Sequence, residues 1–139
     1  MKRIARFLAC TSMAICMSAQ AQGPQDIEQA KAAAANWLAL ADSNRHASTW
    51  IEAAEPFQKA VSQSDWTQTL QALRVPLGPL QGRTVKSATF ARNLPGAPEG
   101  DYVVISFASV FANKADAVET LIPARAKDGS WKVSGYSIR

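Results

Sequence analysis

The stretch DYVVISFASVFA, Asp101 to Ala112, limits the fold more than any other part of the chain. Successive side chains of a strand point to opposite faces. Val103, Ile105, Phe107 and Phe111 therefore share one face, and Tyr102, Val104, Ala108 and Val110 the other. A strand with one wet face alternates apolar with polar residues; this one is apolar on both. Helices can cover one face only. A partner subunit, a ligand or strong sheet curvature must deal with the second, because left wet it would form an unusually large apolar patch.

The helices come first. Asp26 to Asp42 repeats Ile27, Ala30, Ala34, Trp37, Leu38 and Ala41 at three- and four-residue steps, an amphipathic helix stopped by Asp42-Ser-Asn44. A second helical piece carries His46, Trp50, Ala54 and Phe57 on one face, and Pro56 divides it by starting a new turn after Glu55. A third helix starts at a Ser62 or Ser64 cap and puts Trp66, Leu70 and Leu73 on one stripe, ending before Pro76, Gly78 and Pro79.

Beyond Leu80 strand-forming residues dominate. Thr84–Asn93 is a strand, Leu94–Gly100 a Pro- and Gly-rich loop, and Asp101–Ala112 the central strand. Ala117–Arg125 is a third strand in which Pro123 suggests an edge or a bulge. Asp128-Gly129 is a favoured pair for a type I′ turn. In the last strand, Ser130–Arg139, Trp131 and Val133 share a face, and a bulge at Gly135 would bring Tyr136 and Ile138 onto it. Helices followed by an antiparallel sheet predict an α+β domain, with three N-terminal helices on one face of a curved four-stranded sheet.

The first residues read as a secretory leader. Lys2, Arg3 and Arg6 precede a short apolar run from Phe7 to Met17, and Ala19-x-Ala21 follows as a cleavage site. That run is too short for the ~20 residues that span a bilayer. A lipoprotein reading at Cys10 is disfavoured by the few residues before it. Residues 1–21 are thus expected to leave, with 22–139 as one periplasmic or secreted domain. Both cysteines, Cys10 and Cys16, leave with the leader, so the mature domain is disulfide-free and rests on packing. The net charge of +4 falls close to neutral without the three basic leader residues. Nucleic-acid or anionic-membrane binding by basic excess therefore has no support.

LPGAPEG-DYVV, FANKADAVET and DGSWKVSGY, in this order and spacing, resemble the bacterial family catalogued as domain of unknown function 4019. ANWLALADSNRHASTW and the Trp66 helix running into RVPLGPL extend the resemblance over roughly Ile27 to Ile138. One departure is Tyr136-Ser137-Ile138, where a second bulky residue is expected after the tyrosine. The resemblance implies a small exported protein with no established activity and a cone-like fold similar to nuclear transport factor 2. That fold serves enzymes, binding domains and dimerisation modules alike.

Little in the chain suggests catalysis. His46 is the one histidine, no cysteine follows the leader and no acids cluster, so neither a metal site nor a cofactor is expected. His46 reads as flanking a helix. There is no Gly-x-Ser-x-Gly elbow, and GPLQG lacks the Lys and Ser/Thr of a phosphate loop. Trp37, Trp50, Trp66 and Trp131 read first as core. Glu119, inside the strand–turn–strand segment FANKADAVET, is the weak candidate for a catalytic base; in solvent it would pair with Arg83 or Arg92.

Three functions follow. The first is a non-catalytic module binding a small apolar ligand or an envelope protein, as a homodimer, through Trp37, Trp50, Phe57, Tyr102, Val104, Glu119 and Tyr136. The second is an isomerase or dehydratase with Glu119 as base and Tyr102 or Tyr136 as oxyanion donor. The third is a chaperone-like or inhibitory protein that uses the apolar sheet face.

Overall fold

The computed structural model describes residues 23–139. The expected leader, residues 1–21, lies outside the described residues. Four helices, a 3₁₀ turn and four strands follow in order: α1 Pro24–Asp42, α2 His46–Ile51, α3 Glu55–Ala60, α4 Gln63–Arg74, the turn Val75–Leu77, β1 Leu80–Arg92, β2 Asp101–Phe111, β3 Lys114–Arg125 and β4 Trp131–Ile138. This is an α+β chain whose sheet is open and antiparallel, in the order β1-β2-β3-β4.

The helix count is four rather than three, for the reason the sequence offers. Pro56 cannot continue a helix, so α2 stops at Ile51 and α3 restarts with the proline in its first turn. α4 is capped by Ser62, whose hydroxyl accepts the Asp65 N–H at 3.1 Å. Its buried stripe is Trp66, Leu70 and Arg74; the expected Leu73 is 41% exposed. Steps of four carry the stripe onto an arginine, which a scan for apolar residues passes over.

α1 contacts all four strands and buries Ala30, Ala34, Trp37, Leu38 and Ala41. These meet Val103, Ile105 and Phe107 of β2, Leu121 of β3, and Trp131 and Val133 of β4 in one core. Fully burying each such large side chain stabilises by about 1.5–3 kcal/mol. Thr49 settles the indoles at the centre. Its carbonyl accepts Trp37 Nε1 at 2.9 Å, and its hydroxyl accepts Trp66 Nε1 at 2.9 Å.

Bulges set which side chains face that core. β1 holds an extra residue between Leu80 and Gly82 and another between Val85 and Ser87. The second switches the alternation, so that Arg83 and Val85 share a face with Ala88 and Phe90. In β4 the pairing steps from Pro123↔Val133 to Leu121↔Tyr136, leaving an extra residue at Ser134-Gly135. The expected bulge is present, and it turns Tyr136 inward. A Cβ at Gly135 would come 3.6 Å from the Ile122 side chain, so Ile122 covers the glycine on the other side.

Of the two readings of Pro123, the bulge holds: it lies in an interior strand, not at an edge, the irregularity falls between its pairing and that of Leu121 with β4, and the ladder residues on either side of it carry the pairing to β2. One local expectation is corrected. The hairpin at Asp128-Gly129 is not type I′, which needs positive φ at both residues. Only Gly129, at φ 86°, has it. Gly129 N–H bonds Ala126 O at 2.9 Å, and Ala126 N–H bonds Ser130 O at 2.7 Å, giving a three-residue loop ending in a left-handed glycine.

The second face of β2 is neither buried nor fully wet. Val104, Ser106 and Ala108 are half-buried and Val110 is 39% exposed. Tyr102 alone is covered there, its hydroxyl donating to Pro98 O of the Leu94–Gly100 loop.

Candidate functional site

Glu119 points inward. On β3 it lies opposite Phe107 of β2 and Ile138 of β4, and none of it is exposed. Burying a lone carboxylate would be prohibitive, so its partners decide what it can be. Oε2 accepts Arg74 Nη1 at 3.0 Å and Tyr136 OH at 2.6 Å. Oε1 accepts Arg83 Nε at 2.8 Å, Arg83 Nη2 at 2.7 Å and Ser109 Oγ at 2.6 Å.

The two arginines meet again at Asp42. Arg83 Nη1 donates to Oδ2 at 2.8 Å and Nη2 to Oδ1 at 3.0 Å; Arg74 Nη2 also donates to Oδ1. Asp42, Arg74, Glu119 and Arg83 thus close a ring of alternating charge with no net charge. The ring ties the end of α1, the end of α4, β1 and β3 together, with Ser109 from β2 and Tyr136 from β4 as neutral members.

Each position has a local reason. Arg74 ends α4, where the helix dipole favours a cation, and its guanidinium lies 5.3 Å from the Phe111 ring centroid. Asp42 ends α1, where the dipole disfavours an acid, and the two guanidinium groups offset that. Arg83 reaches the interior because it sits across from Ser109 on the core-facing side of β1.

The electrostatics follow. Burial pushes the Tyr136 hydroxyl well above the ordinary tyrosine value, and the Glu119 charge adds to this. Burial works against the Arg83 charge, but the bonds to Asp42 and the Glu119 charge outweigh it, and its pKa lies above the ordinary value. His46, the first residue of α2, is buried; burial and then the Arg74 charge lower its pKa. Its Nε2 and the Trp131 Nε1 are buried nitrogens that have no hydrogen-bond partner among the described residues.

The residues singled out in the sequence fall into three places. Trp37 and Tyr136 meet at a tilt with ring centroids 5.1 Å apart, next to Glu119 in the charge ring. Trp50 and Phe57 belong to the packing around α3: Trp50 Nε1 bonds Val61 O at 2.8 Å, and Phe57 meets Trp66 edge-on at 4.8 Å. Tyr102 and Val104 lie on the opposite side of the sheet, so Tyr102 cannot act with Glu119. The expected surface pairing of Glu119 is replaced by an interior one with Arg83, while Arg92 bonds Asp101 instead. Asp42, Arg74 and Ser109 were not picked out by sequence reasoning. The one signal for Arg74 is its four-residue spacing from Leu70.

Two open grooves flank the β4 edge. One, of about 780 Å³, runs between α1, α2 and the start of β4, with Trp37, Trp131 and Val133 along it. The other, of about 570 Å³, lies by Tyr102, Pro98 and the 124–128 segment. Ile51 and Lys132 border both. No group of three or more metal-ligating side chains occurs among the described residues.

A family model described as protein of unknown function (DUF4019) matches residues 33–136. No curated protein matches the chain.

Proposed function

The chain belongs to the family described as protein of unknown function (DUF4019), and from that starting point we propose that it is an exported, non-catalytic binding module that works as a homodimer with a cone-like, nuclear transport factor 2-like fold. The observation that carries this reading is the state of Glu119. Its two oxygens accept five hydrogen bonds and none of the residue is exposed, so no lone pair is poised to take a proton from a substrate. The nearby Tyr136 hydroxyl already donates to that carboxylate and is not aimed at an oxyanion.

What faces outward supports association. Val104, Ala108, Val118 and Ile122 are half-buried on the outer side of β2 and β3, beside the exposed Val110. This patch carries no charge. A two-fold pairing places each patch on a copy of itself, and an uncharged apolar patch meets its copy without repulsion. Dimerisation would remove the second apolar face of the central strand from water.

Native mass spectrometry and sedimentation of the protein recovered from the periplasm of an expressing cell test both parts. The expected species is a dimer of chains beginning at Gln22. Val104→Lys and Val118→Lys are expected to yield folded monomers. A wild-type monomer at high micromolar concentration overturns the pairing, and a chain that keeps residues 1–21 overturns export.

A further inference from the structure

β1 and β4 are the two edges of the open sheet, and they are guarded differently. β1 carries two bulges and an exposed Lys86, devices that discourage a strand from adding there. In β4 the bulge comes only after Val133, so the segment Trp131–Val133 is regular.

Hydrogen bonds show which way that segment faces. Ala126 N–H bonds Ser130 O, making these two a hydrogen-bonded pair. Antiparallel ladders alternate, so Arg125↔Trp131 is a non-bonded pair and Ala124↔Lys132 a bonded one. The backbone N–H and C=O of Trp131 therefore point away from β3, as do those of Val133. Two observations agree: the Val133 carbonyl accepts Ala54 N–H at 2.8 Å from outside the sheet, and its opposite residue is Pro123, which has no N–H to give. Ala54, extended just before α3, thus takes up the outward carbonyl of Val133 with a single hydrogen bond.

The part of this edge that has no partner among the described residues borders the groove between α1, α2 and β4. Across from it α1 presents Ala32 and Ala33, which leave room for a backbone. Arg45 and Lys132 line the same groove against one acid, Glu52; neither makes a close salt bridge among the described residues, and Lys132 acts on Asp128 only at longer range.

We propose that this groove binds an extended acidic peptide segment of a partner protein, one residue of which exchanges backbone hydrogen bonds with Trp131 while its acidic side chains meet Arg45 and Lys132. Strand addition supplies affinity through the main chain, and the cations select the sequence. The assignment deepens the binding-module reading and rests on it, but it uses a different surface from the pairing of two copies.

Lys132 lies on the outer face of β4 and Arg45 on the helix side, so the probe is the synthetic peptide acetyl-Val-Glu-Glu-Glu-Val-amide, whose acids occupy both faces of a strand, titrated into the isotope-labelled mature protein and followed by amide resonances. The Trp131 and Val133 amide signals are expected to shift saturably and their exchange to slow. A peptide with lysine in place of glutamate is expected to bind at least about tenfold more weakly, and Arg45→Glu with Lys132→Glu to reverse that preference. Both positions border solvent, and a dispersed spectrum of the double variant shows that it folds. Equal binding by a main-chain N-methylated peptide overturns strand addition. Shifts confined to other surfaces, or none at millimolar peptide, overturn the site. Sedimentation of the free protein is read separately, so failure of the dimer and failure of the groove are distinguishable.

Discussion

Replacing Glu119 by glutamine tests the charge ring with almost no change of volume. The wild-type ring sets two carboxylates against two guanidinium groups, with Glu119 unexposed and Arg74 6% exposed. Glutamine keeps one acceptor oxygen but turns an NH₂ group toward donors that previously met an oxygen. Asp42, 22% exposed on its side chain, is left to balance two arginines. Breaking a buried pair from one side costs about 3–5 kcal/mol, because the remaining charge is stranded. At roughly 3–5 °C per kcal/mol for a domain of this size, Tm falls by about 9–25 °C. Urea unfolding followed by circular dichroism at neutral pH measures it. Screening reaches buried pairs poorly, so the loss should persist in high salt. Joining Glu119→Leu to Arg74→Met should hurt less than the sum of the two single changes, since both stranded partners leave together. A Glu119→Gln loss under about 1 kcal/mol, or strict additivity in the double variant, refutes the argument that the ring is a coupled unit.

Four further outcomes are expected. His46 has a lowered pKa in the folded state, so the unfolded chain takes up its proton first as pH falls through about 6.5. Stability should therefore decline from pH 7 to 5, and His46→Gln should flatten that slope in urea titrations at each pH. Tyr136→Phe removes a donor to Glu119 and an acceptor for Arg74, for a loss of about 1–3 kcal/mol. With its raised pKa, Tyr136 also ionises first in the unfolded chain, so stability should drop above about pH 10 in the wild type and less in the phenylalanine variant. Gly129→Ala meets open space but must adopt φ 86°, so a loss of about 1–2 kcal/mol in Tm or urea measurements reports backbone strain alone.

The helices and strands were legible because their signals are local. Ala30, Ala34, Trp37, Leu38 and Ala41 mark the α1 face by spacing, Pro56 divides α2 from α3, and Gly135 marks the bulge that turns Tyr136 inward. The charge ring was not legible in the same way. Asp42 and Glu119 are far apart in the chain, and nothing near either announces a buried arginine. Arg74 looks like an ordinary basic residue at a helix end, and Arg83 reaches the interior only in a register adjusted by bulges in β1.

By itself the sequence determined the element order, the antiparallel hairpins and the two-sided apolar character of β2, since each depends on residues within a few positions of one another. Only the tertiary structure decided that Glu119 is buried and fully bonded, that Tyr102 and Tyr136 lie on opposite sides of the sheet, and that among the described residues the Trp131 edge stays open while the Val133 carbonyl is taken by Ala54. The reason is physical. A carboxylate's chemistry depends on the charges that desolvation forces to meet it, and an edge's availability on which chain segment reaches it first; both are set by pairings between residues distant in sequence.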